Sequence, residues 1–422
     1  MKKFCLVLAV IIVFGLFSGC GSGDSGKKGV EITVISPFDS EDGNRENYVK
    51  AYKSYCDATG NTVNDKSSAS NEEWKAGVQA DFESGNEPDV LFYFTGADAD
   101  RLVESGKLVS ISDIRREYPD YASNMKDSML PVSTSDGRQY AVPVNGYWEG
   151  LFVNKRVLDD CGVPVPGADY TWDQFLTDCE TIRAKGYAPV ACSLAEIPHY
   201  WFEFCTFNNG NLTNHLTLPQ NSGDEAGRKW VSGLLDIKEL FDRGFFPEDT
   251  TSAPDHETSA LFISYEAAFI LDGSWQVGWL QANAADINDF LVTYVPAKGE
   301  RKPTDIIGGL SMGYYITKKA WDDPKKREAC VEFVKAMTTD EVVSSFGALS
   351  VTALKNGTHL PDNADPLVMS ALAMTKNCTG IVSAAQDLLI PDARKALFDD
   401  VVNIVTGDVS PQEAIDNSLG VK

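Results

Sequence analysis

From Glu31 onward, short β-branched or aromatic runs alternate with amphipathic helical patterns, and few architectures accommodate that alternation. Residues 31–35 read as a strand. Tyr48, Ala51, Tyr52 and Tyr55 recur at i, i+3, i+4 and i+7, which predicts a helix stopping near Gly60. Residues 61–67 make a weaker strand, Asn71 stands where a helix through Phe82 would be capped, and 88–94 reads as a strand buried on both faces. Strand–helix–strand succession of this kind implies a parallel sheet with right-handed crossovers. The rhythm returns further on. Thr171 caps a helix whose apolar face is Trp172, Phe175, Leu176 and Cys179, stopped by Gly186 and followed by a strand at 187–192. Residues 267–271 form another strand, ending in Asp272, Gly273, Ser274 and Trp275, and Asp323-Pro324 opens a helix with Cys330, Phe333, Val334 and Met337 inside. No repeat of solenoid period is present. The expected fold class is α/β, in two lobes.

Residues 1–20 carry an address of their own. Lys2 and Lys3 precede an apolar run from Phe4 to Phe17, followed by Ser18, Gly19 and Cys20. A positive start, a short apolar core and small residues at a cleavage point make a secretory signal too short to span a bilayer comfortably. The ending resembles the bacterial lipobox, with Phe17 where leucine is usual. That resemblance implies loss of residues 1–19 and a lipid on Cys20, with 20–29 as a flexible glycine-serine tether reaching about 15–18 Å.

Charge and motif content narrow the function. Asp and Glu outnumber Lys and Arg by 61 to 37, a net charge of −24, which argues against nucleic acid or anionic lipid as partners. The acidic residues are scattered, as on a solvated surface. A chain of 422 residues has room for two or three domains. Beyond Cys5 and Cys20 the cysteines lack CxxC spacing, so neither a zinc cluster nor a disulfide framework can be read; most read as small buried hydrophobes, and one disulfide pair stays open. His199, His215, His256 and His359 lack ligand spacing, and no Gly-x-Ser-x-Gly, His-Glu-x-x-His or phosphate loop occurs. Residues 38–43 approach a calcium loop but put Phe38 at the first ligand position. No catalytic machinery, cofactor or metal is expected.

Several short stretches, in order, resemble the carbohydrate-type extracellular solute-binding proteins of ABC importers, the group that includes maltodextrin-binding protein. They are EPDVL at 87–91 followed by LVESGKL at 102–108, YAVP at 140–143 followed by LFVNK at 151–155, and YTWDQF at 170–175. AAFILDGSW at 267–275, GGLSMG at 308–313 and GDVSPQEA at 407–414 complete the series. One departure stands at 347–352, where the family often has proline after a Gly-Leu pair. The resemblance implies a type II periplasmic-binding-protein-like fold, with three crossings near 143–147, 305–311 and 349–354. One lobe would take 30–143 plus 311–350 and the other 144–305 plus 354–422. It implies a monomer, lipid-anchored at the outer face of the cell membrane, that captures a carbohydrate and delivers it to an ABC permease.

The candidate contacts follow from sheet topology and sugar chemistry. Ligands of open α/β sheets bind beyond the carboxyl ends of strands, and here four such loops, at 37–41, 95–98, 193–201 and 272–275, bear polar and aromatic side chains. A sugar offers hydroxyls at its rim and an apolar C–H face, so it asks for carboxylates or amides beside flat rings. Trp275 leads the set: Gly273 and Ser274 leave room beside it, and the resemblance puts a stacking tryptophan there. Tyr147, Trp148 and Glu149 lie just past the first crossing, and strand alternation lets only one of Tyr147 and Trp148 face the cleft. His199, Tyr200 and Trp201 match a stretch that supplies an aromatic contact in maltodextrin binders, with the inward residue left open. Asp39, Glu41, Thr95, Asp98 and Asp272 could bond hydroxyls, and Gly308 and Gly309 would allow close backbone approach. Two rival readings are a cationic solute such as a polyamine caged by Asp39, Glu41, Asp98 and Glu149, and a surface lipoprotein glycoside hydrolase.

Overall fold

The computed structural model describes residues 29–144, 146–347, 351–357 and 364–421. The predicted signal, Cys20 and nearly all of the tether lie outside the described residues. Among the described residues, eleven strands occur in chain order: β1 (Glu31–Ile35), β2 (Thr62–Asp65), β3 (Val90–Phe94), β4 (Val142–Pro143), β5 (Tyr147–Asn154), β6 (Ala188–Ala191), β7 (Ala267–Gly273), β8 (Phe290–Thr293), β9 (Asp305–Gly309), β10 (Met312–Ile316) and β11 (Gly380–Val382). They build two sheets. The first has the order β2-β1-β3-β10-β4, and the second β11-β9-β5-β7-β6 with β8 also paired to β5.

Local signals account for many element ends. Asn71 accepts from Trp74 N to start the helix Glu72–Ser84, Thr171 and Gln174 form a reciprocal capping box, and Asp323 caps a helix opened by Pro324. Gly60 ends the helix Arg45–Thr59 at φ 75°. β3 is buried on both faces as its composition demands: Val90 and Phe92 enter one core with Ile32 and Val34, Leu91 and Tyr93 another with Val78 and Phe82. β5 divides similarly, Leu151 and Val153 on one face and Trp148 and Phe152 on the other.

The sheets are mixed rather than parallel throughout. β1 runs parallel to β2 and β3, but β10 is antiparallel to β3 and β4, and β5 is antiparallel to β7, β8 and β9. The reason is the connection between lobes. β4 passes into β5 over residues 144–146 and β9 into β10 over 310–311, so these strands enter their sheets without a helical crossover to restore direction. Three segments converge there. Gly146 N donates to Val351 O at 2.6 Å, and an ideal Cβ at Gly146 would collide with Gly309 O, so only glycine fits between its neighbours.

The third connection differs from expectation. Ala353 and Leu354 are buried in the first lobe's core, Lys126 N donates to Ala353 O at 2.8 Å, and Lys355 N donates to Asn124 O at 2.9 Å. Ala364 and the helix Pro366–Asn377 belong to the second lobe, the helix packing on β8. Assigning the second lobe from residue 354 therefore places that boundary too early.

All seven described cysteines are free, five of them buried, and no described helix is long and apolar enough to cross a membrane.

Candidate ligand-binding cleft

Strand alternation sets the floor. Tyr147 and Glu149 point to the side of β5 that meets the helix His199–Asn208 and the 3-10 turn Ala385–Leu388, and Tyr147 Oη accepts from Ala384 N at 3.3 Å. Glu149 is 3% exposed, and its Oε2 has no hydrogen-bond partner. Burial first, then the carboxylates of Glu203, Asp387 and Asp272, hold its carboxyl far above the usual range. Asp272 lies on β7 opposite Gly150, so it starts from the other face of the sheet from Glu149, and its Oδ1 accepts from Gly273 N at 2.6 Å. Burial, reinforced by Asp255, pushes Asp272 up to about 8.

Aromatic rings stand beside this face. The Trp275 ring lies flat on Gly273, where any Cβ would penetrate the ring. Tyr200 is 6.1 Å from Trp275 between centroids, and His199 is 4.1 Å from Tyr200. His199 is partly buried and its pKa falls to about 3, through burial and then the charges of Lys75 and Arg394. One turn along, buried Glu203 accepts from Ala385 N at 2.9 Å and Gln386 N at 2.7 Å and meets His215 Nε2 at 3.1 Å. Those bonds fix the turn that carries Asp387, which burial raises to about 6.

The first lobe closes over this floor with ion pairs. Arg394 of the second lobe is 2% exposed; its Nη2 reaches Asp98 Oδ1 at 2.5 Å and its Nε lies 3.3 Å from Glu72. Lys75 lies 3.4 Å from Asp98, 2.9 Å from Glu72 and 4.0 Å over the Phe94 ring. Arg101 and Asp392 add an outer pair at 2.9 Å. At the opposite rim an ideal Cβ on Gly43 would stand 2.9 Å from Trp275 O and Trp279 N. The lobes are in contact on both sides of the cleft.

A two-lobed α/β body with a polar, aromatic-lined cleft at its hinge is the architecture of a receptor for small solutes, and the family profile described as bacterial extracellular solute-binding protein matches residues 42–344. The chain belongs to that family. This solute-binding protein is 22% identical over 272 residues to the multiple sugar-binding protein of Streptococcus mutans, covering 62% of the chain and 61% of that relative, so it spans less than two thirds of the relative's length. Its fold is similar to that of a chitin oligosaccharide binding protein (TM-score 0.77, 21% identity, 93% and 98% of the two chains). It is also similar to a solute-binding protein in complex with raffinose (TM-score 0.70, 17% identity, 92% and 97%). Family membership places the protein's work outside the cytoplasm.

Within this solute-binding protein the sequence-predicted contacts separate into three groups. Tyr147 and Glu149 share one face of β5, and His199, Tyr200 and Trp275 lie side by side; Asp272, opposite Gly150, starts from the other face and bonds Trp275. Trp148 and Trp201 do not. Trp148 is 2% exposed and stacks on Phe152 at 6.0 Å, because period-two alternation turns it away from Tyr147 and Glu149. Trp201 is 1% exposed and stacks on Phe175 at 5.7 Å, since the inner face of its helix is buried against the strands. Both are core residues. Asp98 reaches the cleft but is engaged by Arg394 and Lys75, and Thr95 Oγ1 donates to Ser311 O at 3.2 Å. Asp39 closes its own turn by accepting from Glu41 N at 2.9 Å and Asp42 N at 3.1 Å, while Glu41 is exposed. The polyamine cage of Asp39, Glu41, Asp98 and Glu149 is therefore not assembled. Gly308 and Gly309 pair with Trp148 and Tyr147, and a Cβ on Gly308 would stand 2.6 Å from Tyr147 O; the close approach is between hinge strands. Glu203, Asp387 and Arg394 carry no local motif and were missed. Among the described residues no group of three or more His, Cys, Asp or Glu is arranged to hold a metal ion.

Proposed function

We propose that this protein captures a sugar, in particular an oligosaccharide, between its lobes and delivers it to the transmembrane subunits of an ABC permease. The observation that carries this reading is the pairing of the Tyr200 and Trp275 rings, 6.1 Å apart between centroids, beside the buried carboxyl group of Asp272, which bonds Trp275. Rings accept the C–H face of a pyranose, and carboxyl groups bond its hydroxyls. The sugars named for the similar proteins, chitin oligosaccharide and raffinose among them, support the same class. Capture makes and breaks no bond. Ligand contacts favour the closed form, and ion pairs from Arg394 to Asp98 and Glu72 span the lobes in that form. The protein acts as a monomer, held by lipid on Cys20 at the outer face of the membrane, where tethering keeps it concentrated near its permease.

The test is a thermal-shift screen of mono- and oligosaccharides with polyamines included, followed by calorimetric titration. Stabilisation by an oligosaccharide that is recovered uncleaved is expected. A response to polyamines alone, or release of cleavage products, would overturn the reading.

A further inference from the structure

The turn Ala385–Leu388 of the second lobe lies against the first-lobe helix Ala97–Glu104, on which Asp98 stands. Side chains hold the turn through three successive backbone donors. Ala384 N donates to Tyr147 Oη at 3.3 Å, Ala385 N to Glu203 Oε2 at 2.9 Å and Gln386 N to Glu203 Oε1 at 2.7 Å. Glu203 is fully buried, and a buried carboxylate is costly unless donors meet it. Here both oxygens are met, with His215 Nε2 a further contact 3.1 Å from Oε2. An apolar side chain at 203 could pack the helix on the turn, but it would leave the N–H groups of Ala385 and Gln386 buried without partners.

On one side of this seat are the rings, on the other the clasp. Glu203 follows His199 and Tyr200 by four and three positions, so it shares their face of the helix His199–Asn208. Past the turn, Leu389 and Ile390 lead into the helix Pro391–Asp399, which carries Arg394. His199 and Phe202 meet Phe398 at 6.0 and 5.5 Å, anchoring the later part of that helix. Arg394, one turn earlier, stands nearer the 385–388 turn: Asp387 lies 3.7 Å from its Nη1, while its Nη2 reaches Asp98 at 2.5 Å. We propose that Glu203 is a positioning residue that ties the ring-bearing helix to the clasp: by seating the turn it presents Asp387 and Arg394 to the helix Ala97–Glu104, so that the lobes stay closed only while its carboxylate holds the turn. The proposal goes beyond the reading of the ligand, since closure of this kind serves any solute in the cleft.

The test is solution scattering of the ligand-free protein, with amide hydrogen exchange followed over 384–388, for the wild type, Glu203→Gln, Arg394→Gln and the double variant. Glu203→Gln turns an amide NH2 toward one of the turn's donors. Exchange over 384–388 is expected to quicken about tenfold, and the radius of gyration to rise to that of Arg394→Gln. The double variant is expected to be no more extended than either single one, because both changes release one clasp. A quickened turn with a wild-type radius overturns the proposal, since Glu203 then serves the second lobe alone. So does a double variant more extended than both singles, or a wild type already as extended as Arg394→Gln. None of these results bears on the sugar reading. Should Glu203→Gln fail to fold by circular dichroism, Tyr147→Phe, which frees Ala384 N and keeps the ring, carries the comparison: exchange quickened about threefold with a radius above the wild-type value supports the proposal, and an unchanged radius overturns it.

Discussion

The two lobes meet the cleft with different chemistry. The first presents charges already paired, Asp98 and Glu72 held by Arg394 and Lys75, whereas the second presents rings and carboxyl groups without cationic partners. These pairs span the lobes, so the first lobe works as a clasp, with Arg394 Nε and Nη1 left without hydrogen-bond partners. Unsatisfied buried groups have much to gain from one, so the second lobe works as the reader.

The largest break in that contrast comes from the reader. Trp275→Ala removes the ring seated on Gly273 and is expected to weaken oligosaccharide binding about 100-fold in calorimetry while thermal stability falls little. Next is the pH dependence of stability. Asp272 titrates at about 8 in the folded state, above its unfolded value, so the folded protein binds the extra proton. That stability is complete below the unfolded pKa and is lost as pH rises through about 8. Asp272→Asn is expected to flatten the decline in unfolding free energy between pH 6 and 8 by about 1–2 kcal/mol, measured by urea titration.

The clasp gives smaller effects. Arg394→Gln leaves buried Asp98 with Lys75 alone, at 3.4 Å, which opens the ligand-free protein. A larger radius of gyration in solution scattering and an affinity about tenfold lower are expected, with part of the loss recovered in the double variant carrying Asp98→Asn. Glu41→Gln, on the exposed rim, is expected to change affinity by less than about twofold.

Much of the scaffold was legible because its signals are local. Asn71, Thr171 and Asp323 announced their helices, and the VLFYF run announced a strand buried on both faces. The room that Gly273 leaves for the Trp275 ring was legible for the same reason, since the two lie two residues apart. The inward residue among His199, Tyr200 and Trp201 was not, because it depends on which helix face the strands cover. Arg394 lies 296 residues from Asp98, and nothing near either position announces the pair. The parallel sheet failed where β5 and β10 arrive directly from the other lobe, a consequence of three-dimensional routing that strand composition does not encode.

The division of labour between reader and clasp is tested most directly by a crystal structure of the protein with the tightest-binding glycan from the screen. The account predicts a sugar ring stacked on Trp275 and Tyr200, with a polar group of the same unit within hydrogen-bond distance of Glu149 and the Arg394–Asp98 pair intact. A glycan held by first-lobe residues alone, or bound outside the cleft, would contradict it.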